Sequence, residues 1–145
     1  MLVQKILDSK PKTTIYTITK DHSISDAAAD LSAHRIGVLV VSDDGKTIDG
    51  ILSERDIIRE LGKRGTGCLT ESVSKFMTGT VISCGLSDSA QTILETMTEG
   101  RFRHMPVIDD KKRLVGLITL GDVVKARLEE VSGENAAMMD MIRGV

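Results

Sequence analysis

Ser53 and Asp56, at the end of the segment G-I-L-S-E-R-D, recur as Thr119 and Asp122 in G-L-I-T-L-G-D, and both pairs are offset by the same 66 residues. A hydroxyl followed three positions later by a carboxylate supports two kinds of chemistry. At a helix start the two side chains can cap each other's backbone amides and do nothing further. Alternatively, the carboxylate can accept hydrogen bonds from vicinal ribose hydroxyls while the hydroxyl and the helix-start amides receive phosphate. A single occurrence is a common helix-start signal. Two occurrences at matched positions, each following an apolar run, favour the nucleotide reading.

The two copies are not identical. Arg55 stands before Asp56, whereas Gly121 stands before Asp122, so two unequal sites are expected. The arginine-bearing one should prefer more phosphate charge, and the glycine-bearing one a bulkier group. R-F-R-H, Arg101 to His104, gathers cations at what should be a helix end and the entry to a strand. The plainer reading of R-F-R-H is that an arginine caps helix carbonyls or faces water. His22 and His34 lack metal partners at sensible spacing, and no metal site is expected. The chain has no G-x-S-x-G, H-E-x-x-H or strand-following G-x-G-x-x-G, and the two aspartates belong to separate helix starts, so an enzyme is not expected. Gly62 to Thr70 is glycine-rich but follows a helical pattern and lacks the G-K-[ST] ending of a phosphate loop.

The elements that must position these residues repeat as well. Ile24, Ala27, Ala28 and Leu31 follow helical spacing behind the N-cap candidate Ser23, and Ala90, Ile93, Leu94 and Met97 repeat the pattern. Val38 to Val41 and Met105 to Ile108 are short apolar runs, each followed by turn residues and a second run ending at Leu52 or Ile118, which predicts buried hairpins. Each copy therefore reads strand, helix, strand, strand, helix. Pro106 is expected at an edge or bulge because it cannot donate to a ladder. Val3, Lys5, Ile6 and Leu7 match Val73, Lys75, Phe76 and Met77 at an offset of 70, so D-S-K-P-K-T-T reads as a loop insertion of about four residues, and Gly62 to Thr70 as a loop linker. In the tail, Leu128, Val131, Asn135, Met138 and Ile142 step by 3, 4, 3 and 4, an a/d-like seam that predicts a helix packing on another surface, unless Ser132-Gly133 breaks it and the tail folds back.

Composition narrows the function classes. A chain of 145 residues with 41% hydrophobic and 28% charged residues supports one folded core, and a net charge of −2 gives no polyanion-binding field. One Tyr, two Phe and no Trp leave little for stacking on single-stranded nucleic acid. Cys68 and Cys84 form no metal or disulfide pattern and read as reduced thiols. With no signal-like start and no apolar run of about 18 residues, a cytoplasmic protein without membrane contact is expected.

The chain resembles a tandem pair of cystathionine-β-synthase (CBS) domains of the stand-alone bacterial signal-transduction type. The resemblance lies in Ser53-Glu54-Arg55-Asp56, Thr119-Leu120-Gly121-Asp122, the segment His34 to Gly37 and the segment Arg101 to Val107, and it covers about Val3 to Leu128. It implies an α/β (α+β) fold: two β-α-β-β-α repeats, residues 1–66 and 67–130, packed as one pseudo-two-fold module, with a C-terminal helical extension at 131–145. It implies AMP, ATP, NAD(H) or S-adenosylmethionine bound in clefts to which both repeats contribute. Asp56 and Asp122 would hold ribose, with Ser53 and Thr119 near phosphate and Arg35, Arg55, Arg101, Arg103 and His104 as its cationic partners. Adenine would lie by Tyr16 and Ile36 in the cleft carrying Asp122, and by Ile82 and Phe102 in the cleft carrying Asp56. The implied role is a regulatory nucleotide-binding module, a homodimer that signals to a protein target. The alternative is a structural dimerisation module with vestigial clefts.

Overall fold

Each half of the chain builds one three-stranded sheet from short apolar runs, and capped helices connect the strands. The computed structural model describes residues 1–11 and 15–144. In chain order the elements are α1 (Val3–Ser9), β1 (Thr17–Ile18), α2 (Ile24–His34), β2 (Val38–Val41), β3 (Gly50–Ser53), α3 (Glu54–Arg64), α4 (Val73–Phe76), β4 (Cys84–Gly85), α5 (Ala90–Gly100), β5 (His104–Ile108), β6 (Leu114–Thr119) and α6 (Leu120–Ile142), with a 3-10 helix at Gly65–Thr70. The strand, helix, strand, strand, helix order is present twice in this mixed α/β architecture. Short helices α1 and α4 open the copies.

Local chemistry accounts for the elements. The Ser23 hydroxyl accepts the Asp26 amide at 3.0 Å, and the Asp26 carboxylate accepts the Ser23 amide at 3.4 Å, so α2 starts on a full capping box. Its buried face is Ile24, Ala27 and Leu31. In α5 the cap is Ser89, and the buried face is Ala90, Ile93 and Met97. Both helices end on an arginine in the left-handed conformation, Arg35 at φ 53° and Arg101 at φ 55°, whose backbone amides return to the carbonyls of Leu31 and Met97. The capping expected of an arginine near these helix ends is thus done by the main chain. β2 is buried throughout and lies between β1, parallel, and β3, antiparallel, with Val38 opposite Ser53 and Val41 opposite Gly50. The second sheet has the order β4-β5-β6.

Two compact units result. One comprises Met1–Lys12, Ser83–Asp110 and Val115–Val145, and its core contains Val3, Ile6, Ile93, Met105, Ile118 and Val123. The other comprises Thr13–Ile82 and Lys111–Leu114, and its core contains Ile24, Leu39, Leu52, Ile57, Val73 and Phe76. The helix that opens each sequence copy is thus packed within the unit formed mostly by the other copy. The repeated glycine of G-I-L-S and G-L-I-T is explained by that packing. A Cβ at Gly116 would stand 2.8 Å from Leu7 Cδ1, and one at Gly50 would stand 2.6 Å from Met77 Sδ and 2.9 Å from the Thr78 carbonyl oxygen. Leu7 and Met77 are the pair related by the offset of 70.

Three local expectations are corrected. Pro106 lies in β5, the middle strand, rather than at an edge; β4 is only two residues long and its register starts at Val107, so the ring sits just beyond that pairing. The linker from Gly62 to Thr70 is helical, first as the end of α3 and then as the 3-10 turn that buries Cys68. Asp8 and Ser9 belong to α1 rather than to a loop; residues 12–14 of that polar stretch lie outside the described residues. The helix predicted for the tail is present: α6 runs unbroken through Ser132 and Gly133 over 23 residues.

Candidate functional site

Each duplicated junction forms where a sheet strand turns directly into a helix. At β3–α3 the Glu54 amide donates to the Gly37 carbonyl at 2.9 Å, and at β6–α6 the Leu120 amide donates to the Arg103 carbonyl at 2.8 Å, two bonds related by the repeat. They hold the first helical turn against the preceding hairpin strand. The next side chains complete full capping boxes. Ser53 N–H donates to Asp56 Oδ2 at 2.9 Å and Asp56 N–H to Ser53 Oγ at 3.2 Å. Thr119 N–H donates to Asp122 Oδ2 at 2.9 Å and Asp122 N–H to Thr119 Oγ1 at 3.1 Å. The plain capping chemistry is therefore realised at both places. Each hydroxyl oxygen accepts an amide and keeps its own proton for a further acceptor.

The cations at the two carboxylates differ, and neither is one that the spacing picked out. Asp56, only 9% exposed, receives Arg59 Nη2 on Oδ1 at 3.1 Å. Asp122 receives Lys10 Nζ on Oδ2 at 2.7 Å, and the same ammonium donates to the Leu117 carbonyl at 3.2 Å. Burial would raise the Asp122 carboxyl, but the Lys10 bond and the Thr119 contacts outweigh it and hold the group below the ordinary carboxylate range. Lys10 was hidden by the reading of its segment as an inserted loop. The offset of 70 sets it opposite Thr80, and among the described residues the cation at the first junction's carboxylate is Arg59.

The other candidate residues fall in two groups. In the unit with Asp56, the exposed Arg35 and half-buried Ile36 line an open groove of about 510 Å³ with Gly37, Glu54 and Ile57. Tyr16 belongs to that unit too, with its ring stacked on His34 at a centroid distance of 3.8 Å, so one face is already covered. Ile82 is exposed, as is Arg55. In the unit with Asp122, Arg101 is an exposed helix cap, and Phe102 is half-buried over Gly100, where a Cβ would meet its ring at 2.2 Å. Arg103 is exposed, and His104 is half-buried in β5. Tyr16, Ile36 and Ile82 thus share a unit with Asp56, and Phe102 shares one with Asp122.

As an acceptor for ribose, the second junction fits directly: among the described residues Asp122 Oδ1 makes no hydrogen bond. The first fits if Arg59, with a side chain 53% exposed, yields Oδ1. Among the described residues no group of three or more His, Cys, Asp or Glu could hold a metal ion, and no helix is long and apolar enough to cross a membrane.

The family model for the CBS domain matches residues 4–63 and again 73–129, so each match ends beyond one of the two junctions. The chain belongs to the CBS-domain family. It is similar to the crystal structure of the CBS-domain-containing protein ATU1752 from Agrobacterium tumefaciens, at 42% identity and a TM-score of 0.81, covering 88% of this chain and 99% of that one. CBSX2 of Arabidopsis thaliana, solved in complex with AMP, matches at 26% identity and a TM-score of 0.72 over 88% and 96% of the two chains. The CBS domain pair of MJ0100, solved with 5′-methylthioadenosine and S-adenosyl-L-methionine, matches at 28% and 0.72 over 90% and 98%. Among curated proteins, the mitochondrial CBS domain-containing protein CBSX3 of Arabidopsis thaliana is 32% identical over 87% of this chain, which spans 63% of that protein.

Proposed function

We propose that this CBS pair is a regulatory module, not an enzyme, that binds an adenine nucleotide, AMP, ATP or NAD(H), and reports its ligand state to a partner protein in the cytoplasm. The observation that carries this reading is the duplicated junction, a capped carboxylate and hydroxyl held at the same place in both copies. The AMP and S-adenosylmethionine complexes of the similar CBSX2 and MJ0100 pairs support the ligand class. A ligand that binds only the folded state raises stability by mass action, by about 2.7 kcal/mol at a hundred times its Kd. Thermal unfolding with AMP, ATP, NADH and S-adenosylmethionine should therefore show a rise in Tm on the order of 8 °C for the preferred ligand. The rise should shrink in Asp56→Ala and Asp122→Ala. No shift with any of the four at millimolar concentration would overturn the reading.

A structural, dimer-forming module is the second reading. The capping boxes support it, since both carboxylates already have helix work to do. So does the seam of α6, where Leu128 is 63% exposed, Met138 60% and Ile142 77%. A helical segment this apolar and this exposed is marginal alone in water, and a second copy of the chain aligned on the same seam would cover it. Homodimerisation through α6 is compatible with either reading.

A further inference from the structure

The position of Lys10 separates the two junctions in a way that Arg55 and Gly121 do not. The Arg55 side chain is exposed, while the Lys10 ammonium is held against Asp122 with both side chains only about one-fifth exposed, at 21% and 23%. Two of its three donors are committed, one to Asp122 Oδ2 and one to the Leu117 carbonyl. The third has no partner among the described residues. The bond to Oδ2 leaves Asp122 Oδ1 for another donor, so Lys10 need not move for that carboxylate to accept a hydroxyl. Among the described residues no lysine pairs with the carboxylate of the first junction. Thr80 occupies the repeat-related position, and Arg59 is more than half exposed at 53%, where solvent screens it.

We infer that Lys10 is the specificity-determining residue of the second junction, selecting adenosine that carries a 5′-phosphate over uncharged or cationic adenosine derivatives. The inference rests on the adenine-nucleotide reading above. A phosphate brought beside Thr119 and Asp122 meets a partly desolvated ammonium with a donor to spare, and a charge-assisted bond forms. Adenosine makes no such bond, and the sulfonium of S-adenosylmethionine is repelled.

The test compares AMP with adenosine by isothermal titration calorimetry on the full chain carrying Asp56→Ala, which leaves the second junction as the intact one. Adding Lys10→Gln should lower the ratio of AMP affinity to adenosine affinity about tenfold, while Lys10→Arg should largely preserve it. Because the readout is a ratio, a partial loss of folded protein does not mimic the effect, and far-UV circular dichroism of each variant checks its fold. An unchanged ratio in Lys10→Gln, with AMP still bound, overturns the role of Lys10 and leaves the adenine reading standing. If the unmutated chain binds neither AMP nor adenosine, the inference falls, and the adenine reading falls with it only when ATP, NADH and S-adenosylmethionine also fail to bind.

Discussion

Asp56 and Asp122 show how one side chain serves both structure and ligand chemistry. A carboxylate presents two oxygens, and in each capping box Oδ2 takes the backbone amide, so Oδ1 decides what else the residue can do. In Asp56 it holds Arg59; in Asp122 it makes no bond among the described residues. The motif S/T-x-x-D was legible in the sequence because capping is local, acting over three residues. Arg59 was missed although it lies only three residues from Asp56, because exposed helix arginines are common and carry no pattern. A titratable residue away from the junctions gives a separate prediction. Burial, with a smaller contribution from Asp88, pushes the Cys84 thiol from 9.0 up to about 12. The unfolded chain releases this proton near 9 while the folded one keeps it, so the stabilisation is complete below pH 9 and is lost as pH rises toward 12. Urea unfolding at pH 8 and pH 10.5 should show the loss, and Cys84→Ala should reduce the difference between the two.

The helices and strands carry a second lesson, about which repeat residues are structural. Gly50 and Gly116 belong to the duplicated motif on the same footing as the aspartates, yet their constraint is steric. Each lies under a residue brought by an opening helix, Leu7 within α1 or Met77 just after α4. The two should not tolerate a methyl group equally. At Gly116 the added Cβ meets the end of a leucine side chain, which can turn aside; at Gly50 it also meets the Thr78 carbonyl, whose neighbouring amide bonds Ile51 at 2.8 Å and fixes it there. Gly50→Ala should therefore cost about 2–3 kcal/mol and Gly116→Ala about 1 kcal/mol, as overpacking does when neighbours can or cannot move. Chemical denaturation of both variants checks the order; equal losses would contradict it. Sequence spacing could mark these glycines as repeated but not say why, since their partners arrive from α1 and from the segment after α4.

For the chain as a whole, α6 sets the testable question of assembly. The N-terminal ammonium and Arg127 both pair with Glu130, so the helix is tied down as far as that residue, while Val131 to Ile142 extend past it with apolar side chains in water. A chain ending at Glu130 should keep its fold and sediment as a monomer if the seam joins two copies. A dimer surviving that truncation would place the contact elsewhere. The sequence alone determined the duplication, the strand-helix-strand-strand-helix order within each copy, the hydroxyl–carboxylate junctions and the family, because periodic burial and helix capping are written in residues a few positions apart. Only the tertiary structure decided which opening helix serves which half of the chain, why the repeated glycines are glycine, and that Lys10 stands at Asp122. Those contacts join residues from 27 positions apart, as Gly50 and Met77 are (77 − 50), to 112, as Lys10 and Asp122 are, and they arise from packing rather than from any local pattern.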